Sequence, residues 1–244
     1  MAEIVNRDKW ERELAKLLAG EFTRFRNVLL ELFPELVEFA TGLTQDIWVT
    51  HASNLTMILE TTLGAIAAEG LFNLEEETDV GVFGVDWTQA NERAANWASD
   101  YAFDLVSELN STSSRFLGAE VDKIREMTEY LQQEISEYFM DHNNVAELRR
   151  RLTNSPYGFG PVRSEMIAIT ETTRASSWSR LELKRQWEAH GITTIDYWLT
   201  ANDDLVCDIC RPRNNKPIED GMYPPAHPRC RCDWRSEPQY SWSE

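Results

Sequence analysis

Cysteine is scarce in this 244-residue chain: there are four, all of them between Cys207 and Cys232. No run of about 18 apolar residues occurs, and the N-terminal stretch carries charges where a signal peptide needs an unbroken apolar run. We therefore expect a soluble protein made in a reducing compartment, where two disulfides are a poor use of four cysteines. A chain of this length can bury a core and needs no disulfides to fold.

Positive charge is also scarce. The chain has 24 basic and 41 acidic residues, which gives a formal net charge of -17. Residues 51–147 contain 4 basic and 19 acidic side chains, whereas residues 148–244 contain 14 and 13. Because duplex DNA is bound largely through its phosphates, the middle of the chain is a poor candidate for a nucleic-acid surface. Any such contact is expected in the C-terminal region.

Apolar residues recur at helical spacing along most of the chain. The stripe of the first predicted helix consists of Trp10, Leu14, Leu17, Phe25, Val28 and Leu32. A second helix is predicted over residues 44–69, with Gly70 as its C-terminal glycine and a loop over residues 72–86. Asp86 can cap a third helix that starts at Trp87.

A further helix is predicted after the stretch LNSTSS. Its heptad seam runs from Leu117 to Tyr138, and it packs either within its own domain or against a helix of another chain. The stretch TNSPYGFGP, with two glycines and two prolines, then marks the best internal boundary. We therefore predict a helical body over residues 1–153 and a second region over residues 162–244.

The second region is expected to begin with a long helix over residues 162–190, closed by Gly191. Residues 193–201 have the Thr, Ile, Tyr and Trp content of a strand, and the stretch RCDWR can be its return partner. The predicted fold is thus mainly α, in the α+β class. It consists of a helical body and a small β-containing cap that carries the cysteines.

The cysteine spacing is typical of a metal site. The chain reads Cys-x2-Cys, sixteen residues, then His-x2-Cys-x-Cys, and five residues compete for the four positions of a tetrahedral zinc. These candidates are Cys207, Cys210, His227, Cys230 and Cys232. The segment between them has almost no apolar content, and a structural Zn²⁺ contributes about 10–16 kcal/mol of apparent binding energy to folding. We expect a zinc-stapled cap, with a redox or disulfide role as the alternative.

A catalytic zinc is less favoured by the sequence. Zinc deaminases place His-x-Glu before Pro-Cys-x-x-Cys, whereas here the Cys-x2-Cys comes first and no glutamate follows His227 closely. Asp203 and Asp204 precede the cysteines and can orient ligands or cap a turn. Six basic and four acidic residues surround the cluster. This near balance of charge favours a solvated surface, with phosphate contact as the alternative.

Two other groups of residues are given mainly structural interpretations. Glu171 and Arg174 share an apolar stripe of the long helix, so they form either a buried ion pair that fixes packing, which we favour, or part of a functional site. His51, His142 and His190 are isolated and are expected at helix ends or on the surface.

The C-terminal residues resemble the Mu F-like minor head protein family of tailed bacteriophages, also called the head morphogenesis family. The resemblance lies in RSEMIAITETTRASS, YWLTANDDLVCDIC and YPPAHPRCRCDW and covers about 80 residues, with a weaker upstream similarity. The matching residues are Arg163, Ile167, Ala168, Thr170, Glu171, Trp198, Thr200, Asp203 or Asp204, Cys207, Cys210, Pro224, Pro225, His227, Pro228, Cys230, Arg231 and Cys232. The family often has a glycine shortly after Cys-x2-Cys, where this chain has RPRNNKP.

The resemblance implies a structural virion protein without enzymatic activity. Such a protein is made in the host cytoplasm and lies inside the phage head near the portal, where it acts in assembly, genome packaging or ejection. Its implied partners are the portal protein and also the major capsid or scaffolding protein, with contact to packaged DNA through the C-terminal region and no membrane partner.

Two rival functions belong to other classes. One is a zinc-dependent enzyme that acts on nucleic acid, with Asp203, Asp204 or Glu171 as acid/base groups. The other is a zinc-bearing DNA-binding adaptor, against which the acidic middle region argues.

Overall fold

The structure, a computed structural model, describes residues 6–32, 45–78, 87–132, 149–201, 203–219 and 221–239. Its helices are α1 (Arg7–Glu31), α2 (Gln45–Thr78), α3 (Trp87–Gln132) and α4 (Pro161–Ala189), and residues 149–154 are also helical. The strands are β1 (Thr193–Leu199) and β2 (Asp233–Gln239). The predicted fold class, mainly helical with a small β-containing C-terminal cap, is confirmed.

By spatial compactness the chain falls into two units, each assembled from segments that are distant in sequence. The first unit contains Met1–Glu13, Glu60–Asp100 and Met166–Glu244, and the second contains Leu14–Leu59 and Tyr101–Glu165. The predicted division into 1–153 and 162–244 stays a prediction, because compactness in space does not identify the segments that fold together.

Aromatic side chains form much of the interior of the second unit. The Phe25 ring centroid lies 5.0 Å from that of Phe159 and 4.9 Å from that of Trp48. Phe159 comes from the irregular segment 155–160, so the predicted boundary loop packs into this unit. A side chain at Gly158 would collide with the Leu152 carbonyl group, which explains the glycine there.

A buried arginine holds the same segment on α3. The Arg163 guanidinium donates to Ser113 Oγ at 2.5 Å, to the Leu109 carbonyl oxygen at 3.1 Å and to the Tyr157 and Gly158 carbonyl oxygens at 3.0 and 3.2 Å. Burial lowers its pKa to about 10. Arg163 therefore has a packing role in this chain.

His51 lies in the interior of the second unit, so its expected place at a helix end or on the surface is wrong. The ring is fully buried and stacks on Phe25 with centroids 3.9 Å apart and an interplanar angle of 4°. Its Nδ1 atom lies 2.7 Å from Glu21 Oε1, and Arg24 also binds this carboxylate, at 2.6 and 2.8 Å. A partner thirty positions away thus makes burial of this polar ring tolerable.

Helix α4 is the most buried element of the first unit. In the stretch TETTRASSWS (170–179), every residue except Arg174 is buried although most are polar. Hydroxyl side chains tolerate this because they can bond to the carbonyl one turn earlier, as Thr170 does to Met166 at 2.7 Å. Their small size also allows another helix to come close.

That close approach explains an error in the predicted end of α2. Gly70 does not terminate the helix, which continues to Thr78, so residues 72–78 are helical and the predicted loop begins too early. A Cβ atom at Gly70 would lie 2.6 Å from Ser179 Oγ, and Ser179 Oγ donates to the Ala67 carbonyl oxygen at 2.8 Å. Gly70 therefore serves helix packing.

Two predictions for α1 and α3 also need correction. Leu17, expected on the buried stripe of α1, is 43% exposed, because the buried face runs through Leu14, Leu18 and Phe22. The helices predicted before and after LNSTSS are one continuous helix, α3. Leu117 is buried, whereas most of the predicted heptad seam, together with Pro34, Asp86 and His142, lies outside the residues whose side chains are described.

The predictions for the C-terminal elements are close to the structure. Helix α4 starts and ends within one residue of its predicted bounds, and Gly191 follows with a φ of +78°. Strands β1 and β2 pair antiparallel, with Trp198 opposite Trp234 and Leu199 opposite Asp233. The sheet thereby places Cys232, which precedes β2, beside the end of β1.

Among the described residues, one helix segment is long and apolar enough to cross a membrane. It covers Asp46–Phe72, has a mean hydropathy of 1.4 in its most apolar window and is 39% buried there. Length and composition alone do not separate such a segment from a core helix.

Candidate metal centre

Two tight turns carry four of the five predicted ligands. In the first, the Cys210 N–H donates to the Cys207 carbonyl oxygen at 3.2 Å, and in the second the Cys230 N–H donates to the His227 carbonyl oxygen at 3.1 Å. A turn of this kind brings the side chains at its first and fourth positions to one side. The two x2 spacings in the sequence are therefore the spacings that these turns require.

The side chains of the two turns meet. Cys207 Sγ and Cys210 Sγ lie 3.1 and 3.2 Å from His227 Nε2, and Cys210 Sγ lies 3.9 Å from Cys230 Sγ. Two thiolates bound to one tetrahedral zinc at about 2.3 Å lie about 3.8 Å apart, which is close to the observed sulfur separation. The Cys210–Cys230 pair is therefore spaced as two sulfur ligands of one metal ion would be.

The imidazole of His227 is oriented for metal binding. Its Nδ1 atom lies 2.7 Å from the Pro228 carbonyl oxygen, which can only accept a hydrogen bond. In the neutral ring Nδ1 therefore carries the proton, and Nε2 directs its lone pair at the thiols. Metal-binding histidines are usually fixed in this way through the second ring nitrogen.

All five predicted ligands lie in two overlapping groups. Cys207, Cys210 and His227 form one group, and Cys210, Cys230 and Cys232 form the other, with ligand atoms within 4.8 Å of one another in each. Cys210 belongs to both groups. Either group could hold a metal ion, so the coarse prediction of a Cys/His metal site is supported by the geometry.

The thiols change one another's pKa. The hydrogen bond from the Cys232 thiol lowers the pKa of Cys230 to about 5, helped by the backbone N–H groups of Cys232 and Ala226. Burial raises the pKa of Cys210 to about 12, and the bond to Cys230 raises that of Cys232. A divalent cation would override these differences, because it stabilises each thiolate that binds it.

Helix α4 supports the segment that carries Cys230. Thr170 Oγ1 accepts the Arg229 N–H at 2.9 Å, and Thr173 Oγ1 donates to the Cys230 carbonyl oxygen at 2.7 Å. The sequence analysis discusses Glu171 and Arg174 on this helix and predicts no contact for either threonine. Their signal is the Thr-x2-Thr spacing, which places two short hydroxyls on one helical face.

The same face of α4 also holds the sheet. Arg180 binds the Asp233 carboxylate through two hydrogen bonds of 3.0 and 2.9 Å, and Lys184 Nζ lies 2.5 Å from Asp196 Oδ2. Tyr223 donates to the same Asp196 oxygen at 2.6 Å. Residues 170, 173, 180 and 184 fall within about 80° of the helix circumference, so one polar stripe docks the cap.

The remaining predicted site residues have structural contacts. Asp203 accepts the Leu205 N–H at 3.1 Å and pairs with Arg231 at 2.6 Å, so it both caps a turn and steadies the segment between Cys230 and Cys232. Glu171 is buried and pairs with Arg174 at 3.1 Å, although Arg174 itself is 39% exposed.

Comparisons with protein-family models, curated proteins and solved structures found no match to this chain.

Proposed function

We propose that this chain is a minor capsid or head morphogenesis protein of a tailed bacteriophage, in which a structural Zn²⁺ fixes the shape of the C-terminal cap. The observation that carries the proposal is the contact between two segments of the family pattern, 57 positions apart in the chain. Thr173, from the TETTR segment, binds the backbone of Cys230, from the HPRCRC segment. Two of the stretches on which the resemblance rests thus meet beside the thiols.

In this proposal Cys207, Cys210, His227 and Cys230 hold the zinc. They belong to two turns of the same kind, and side-chain contacts of 3.1–3.9 Å join each of them to Cys210 or His227. Cys232 remains a buried neighbour. The ion supplies cross-linking of two turns in a segment that has little apolar area of its own, and the buried Trp198 packs against the same cysteines.

The contacts of Glu171 and Asp203, two of the three carboxylates of the rival enzyme, favour a structural site. An acid/base group must reach the substrate, but Glu171 is buried and ion-paired, and Asp203 is held by a backbone N–H and by Arg231. Incubation of the purified protein with labelled DNA and RNA, with and without chelator, tests the rival. Metal-dependent cleavage of either substrate would replace our proposal with the enzymatic one.

The proposed location is the interior of the phage head near the portal, after synthesis in the host cytoplasm. The portal protein is the proposed main partner, with the major capsid or scaffolding protein as a further one. The test is co-expression with the portal protein of the same phage, followed by size-exclusion chromatography. We expect co-elution with the portal ring, and elution of all of this chain as the free protein would contradict the proposal.

Contact with packaged DNA is proposed for the C-terminal cap. A groove of about 340 Å³ lies there, and Arg213 and Lys216 line it together with Trp198, Pro217 and Glu219. Two cations beside one carboxylate can neutralise few phosphates, so we expect weak binding that falls only modestly as salt rises. Salt-independent binding, or binding unchanged in Lys216→Gln, would exclude this groove.

A further inference from the structure

Arg7, in the first turn of α1, reaches the segment that carries Cys230. Its Nη1 atom donates to the Arg231 carbonyl oxygen at 3.0 Å, and its Nη2 atom donates to Thr173 Oγ1 at 2.6 Å. The same Nη2 atom lies 3.5 Å from the Cys230 carbonyl oxygen, while Nε pairs with Glu11 at 2.6 Å. The side chain is only 11% exposed. One guanidinium therefore joins α1, α4 and the ligand-bearing segment.

The charge preference of a helix N-terminal turn does not explain an arginine at this position. The N-terminal turn of a helix carries the positive end of the helix dipole, which favours acidic side chains such as the neighbouring Asp8. A cation there is unfavourable unless other contacts offset the cost. Glu11 offsets part of this cost within the helix, and the carbonyl groups of Cys230 and Arg231 add contacts from the cap.

Arg7, Thr173 and Cys230 form a chain of hydrogen bonds. Arg7 donates to Thr173 Oγ1, and the Thr173 hydroxyl donates in turn to the Cys230 carbonyl oxygen. Such chains polarise each bond and strengthen it. With Arg7 also bound to the next carbonyl, two successive peptide groups are fixed, and they set the direction of the Cys230 side chain.

We propose that Arg7 and Thr173 are positioning residues of the metal centre, and that metal binding is coupled to the docking of the first two turns of α1. This inference rests on the metal site of the proposed function. Linkage requires that the factor by which docking strengthens metal binding equals the factor by which metal strengthens docking. The cap and α1 then act as a metal-dependent latch.

The latch is partial because α1 has a second anchor. Trp10 Nε1 donates to Glu69 Oε2 at 2.7 Å, and this contact does not involve the cap. Loss of the metal should therefore loosen the first turns of α1 without unfolding the remainder of the helix. The rest of α1 offers an internal reference for the measurement.

The test compares the full-length wild type with Arg7→Gln and Thr173→Val. Arg12→Gln is the matched control, because it removes the same charge from the same helix, and among the described residues Arg12 bonds only to the Asp8 carbonyl oxygen. Zinc affinity is measured by competition with a chromophoric chelator. Hydrogen exchange of residues 7–13 is measured with zinc and after chelation, with residues 21–30 as reference.

We expect zinc affinity to fall about tenfold in Arg7→Gln and in Thr173→Val, as for other groups that orient metal ligands, and to stay within about twofold in Arg12→Gln. Chelation should speed exchange of residues 7–13 in the wild type more than that of residues 21–30, and should change it little in Arg7→Gln. The coupling would be overturned if zinc affinity were unchanged in both variants. It would also be overturned if chelation left the hydrogen exchange of residues 7–13 in the wild type unchanged. A wild type that binds no zinc would instead refute the metal site, and the coupling with it.

Discussion

The Thr173 hydroxyl donates a hydrogen bond of 2.7 Å to the carbonyl oxygen of Cys230, which lies 57 positions further along the chain. This contact joins the most buried helix of the first unit to the segment with the thiols. It turns two short sequence segments, neither of which has a clear role alone, into one structural element. The stability of the cap should therefore depend on the polar residues of α4 as well as on the metal.

Removal of the Thr173 hydroxyl tests this dependence directly. Thr173→Val keeps the shape of the side chain but leaves the Cys230 carbonyl oxygen short of a donor, which costs about 1–3 kcal/mol. Thr172→Val is the matched control, since Thr172 Oγ1 is equally buried and has no hydrogen-bond partner among the described residues. Denaturant unfolding should show a clear decrease in the free energy of unfolding for Thr173→Val and little or no decrease for Thr172→Val. Equal losses would mean that the hydroxyl contact is unimportant.

The choice of metal ligands is tested by single Cys→Ser substitutions. If Cys207, Cys210, His227 and Cys230 bind zinc, Cys230→Ser should lose most of the metal that elemental analysis finds in the wild type. Cys232→Ser should retain about one ion per chain, because Cys232 is not a ligand in this arrangement. The reverse result for these two variants would assign Cys232 as the fourth ligand.

Loss of both thiols of the first turn should abolish zinc binding and also loosen the cap. The double variant Cys207→Ser and Cys210→Ser is expected to bind no zinc and to show faster proteolysis within residues 203–232, since the ion contributes a large share of the cap's folding energy. Limited proteolysis with mass spectrometry makes this measurable. A double variant with the metal content and cleavage pattern of the wild type would rule out a zinc site in this segment.

The elements that the sequence predicted well are marked by residues with a strong local preference. Pro161 and Gly191 bracket α4, and the β-branched and aromatic residues of 193–199 favour a strand. The grouping of the four cysteines with His227 was predicted because a turn that joins two metal ligands needs a fixed spacing. In each case the signal lies within a few residues of the feature.

The errors have the opposite character, because the deciding partner is distant in sequence. A glycine can end a helix or admit a neighbouring one, and only the approach of Ser179 shows that Gly70 does the second. His51 could not be placed without Glu21, nor Thr173 without Cys230. Leu17 was placed on the wrong face because apolar residues occupy more than one side of α1.

The pair of Arg180 and Asp233 should contribute more to stability than an exposed pair on the same strand. Both side chains are nearly buried and share two hydrogen bonds, so Arg180→Gln leaves the Asp233 carboxylate without its charged partner at a cost of about 3 kcal/mol. The control is Arg235→Gln, whose exposed pair with Glu237 is worth less than about 1 kcal/mol. Thermal unfolding of both variants gives the comparison. Similar midpoints would show that the buried pair adds nothing to the docking of β2.

Acid should destabilise the second unit in two steps. Burial lowers the pKa of His51 below its ordinary value of 6.5, so the folded protein takes up this proton less readily than the unfolded chain, and stability should fall as pH drops below about 6.5. Burial raises the pKa of Glu21, but hydrogen bonds from Arg24 and His51 outweigh it and lower the pKa to about 2. The contribution of the Glu21 carboxylate to the stability of the folded protein should therefore disappear as pH falls from 4.5 towards 2.

The histidine step can be isolated with one substitution. His51→Gln keeps a donor for Glu21 but cannot take up a proton, so the loss of thermal stability between pH 6.5 and 5 should be smaller in this variant than in the wild type. The matched control is His190→Gln, which removes an exposed histidine in the turn after α4, outside the second unit. Acid release of zinc through His227 would affect all three proteins equally and cancels in the comparison. If wild type and His51→Gln lose stability in parallel over this range, the buried imidazole does not set the acid sensitivity.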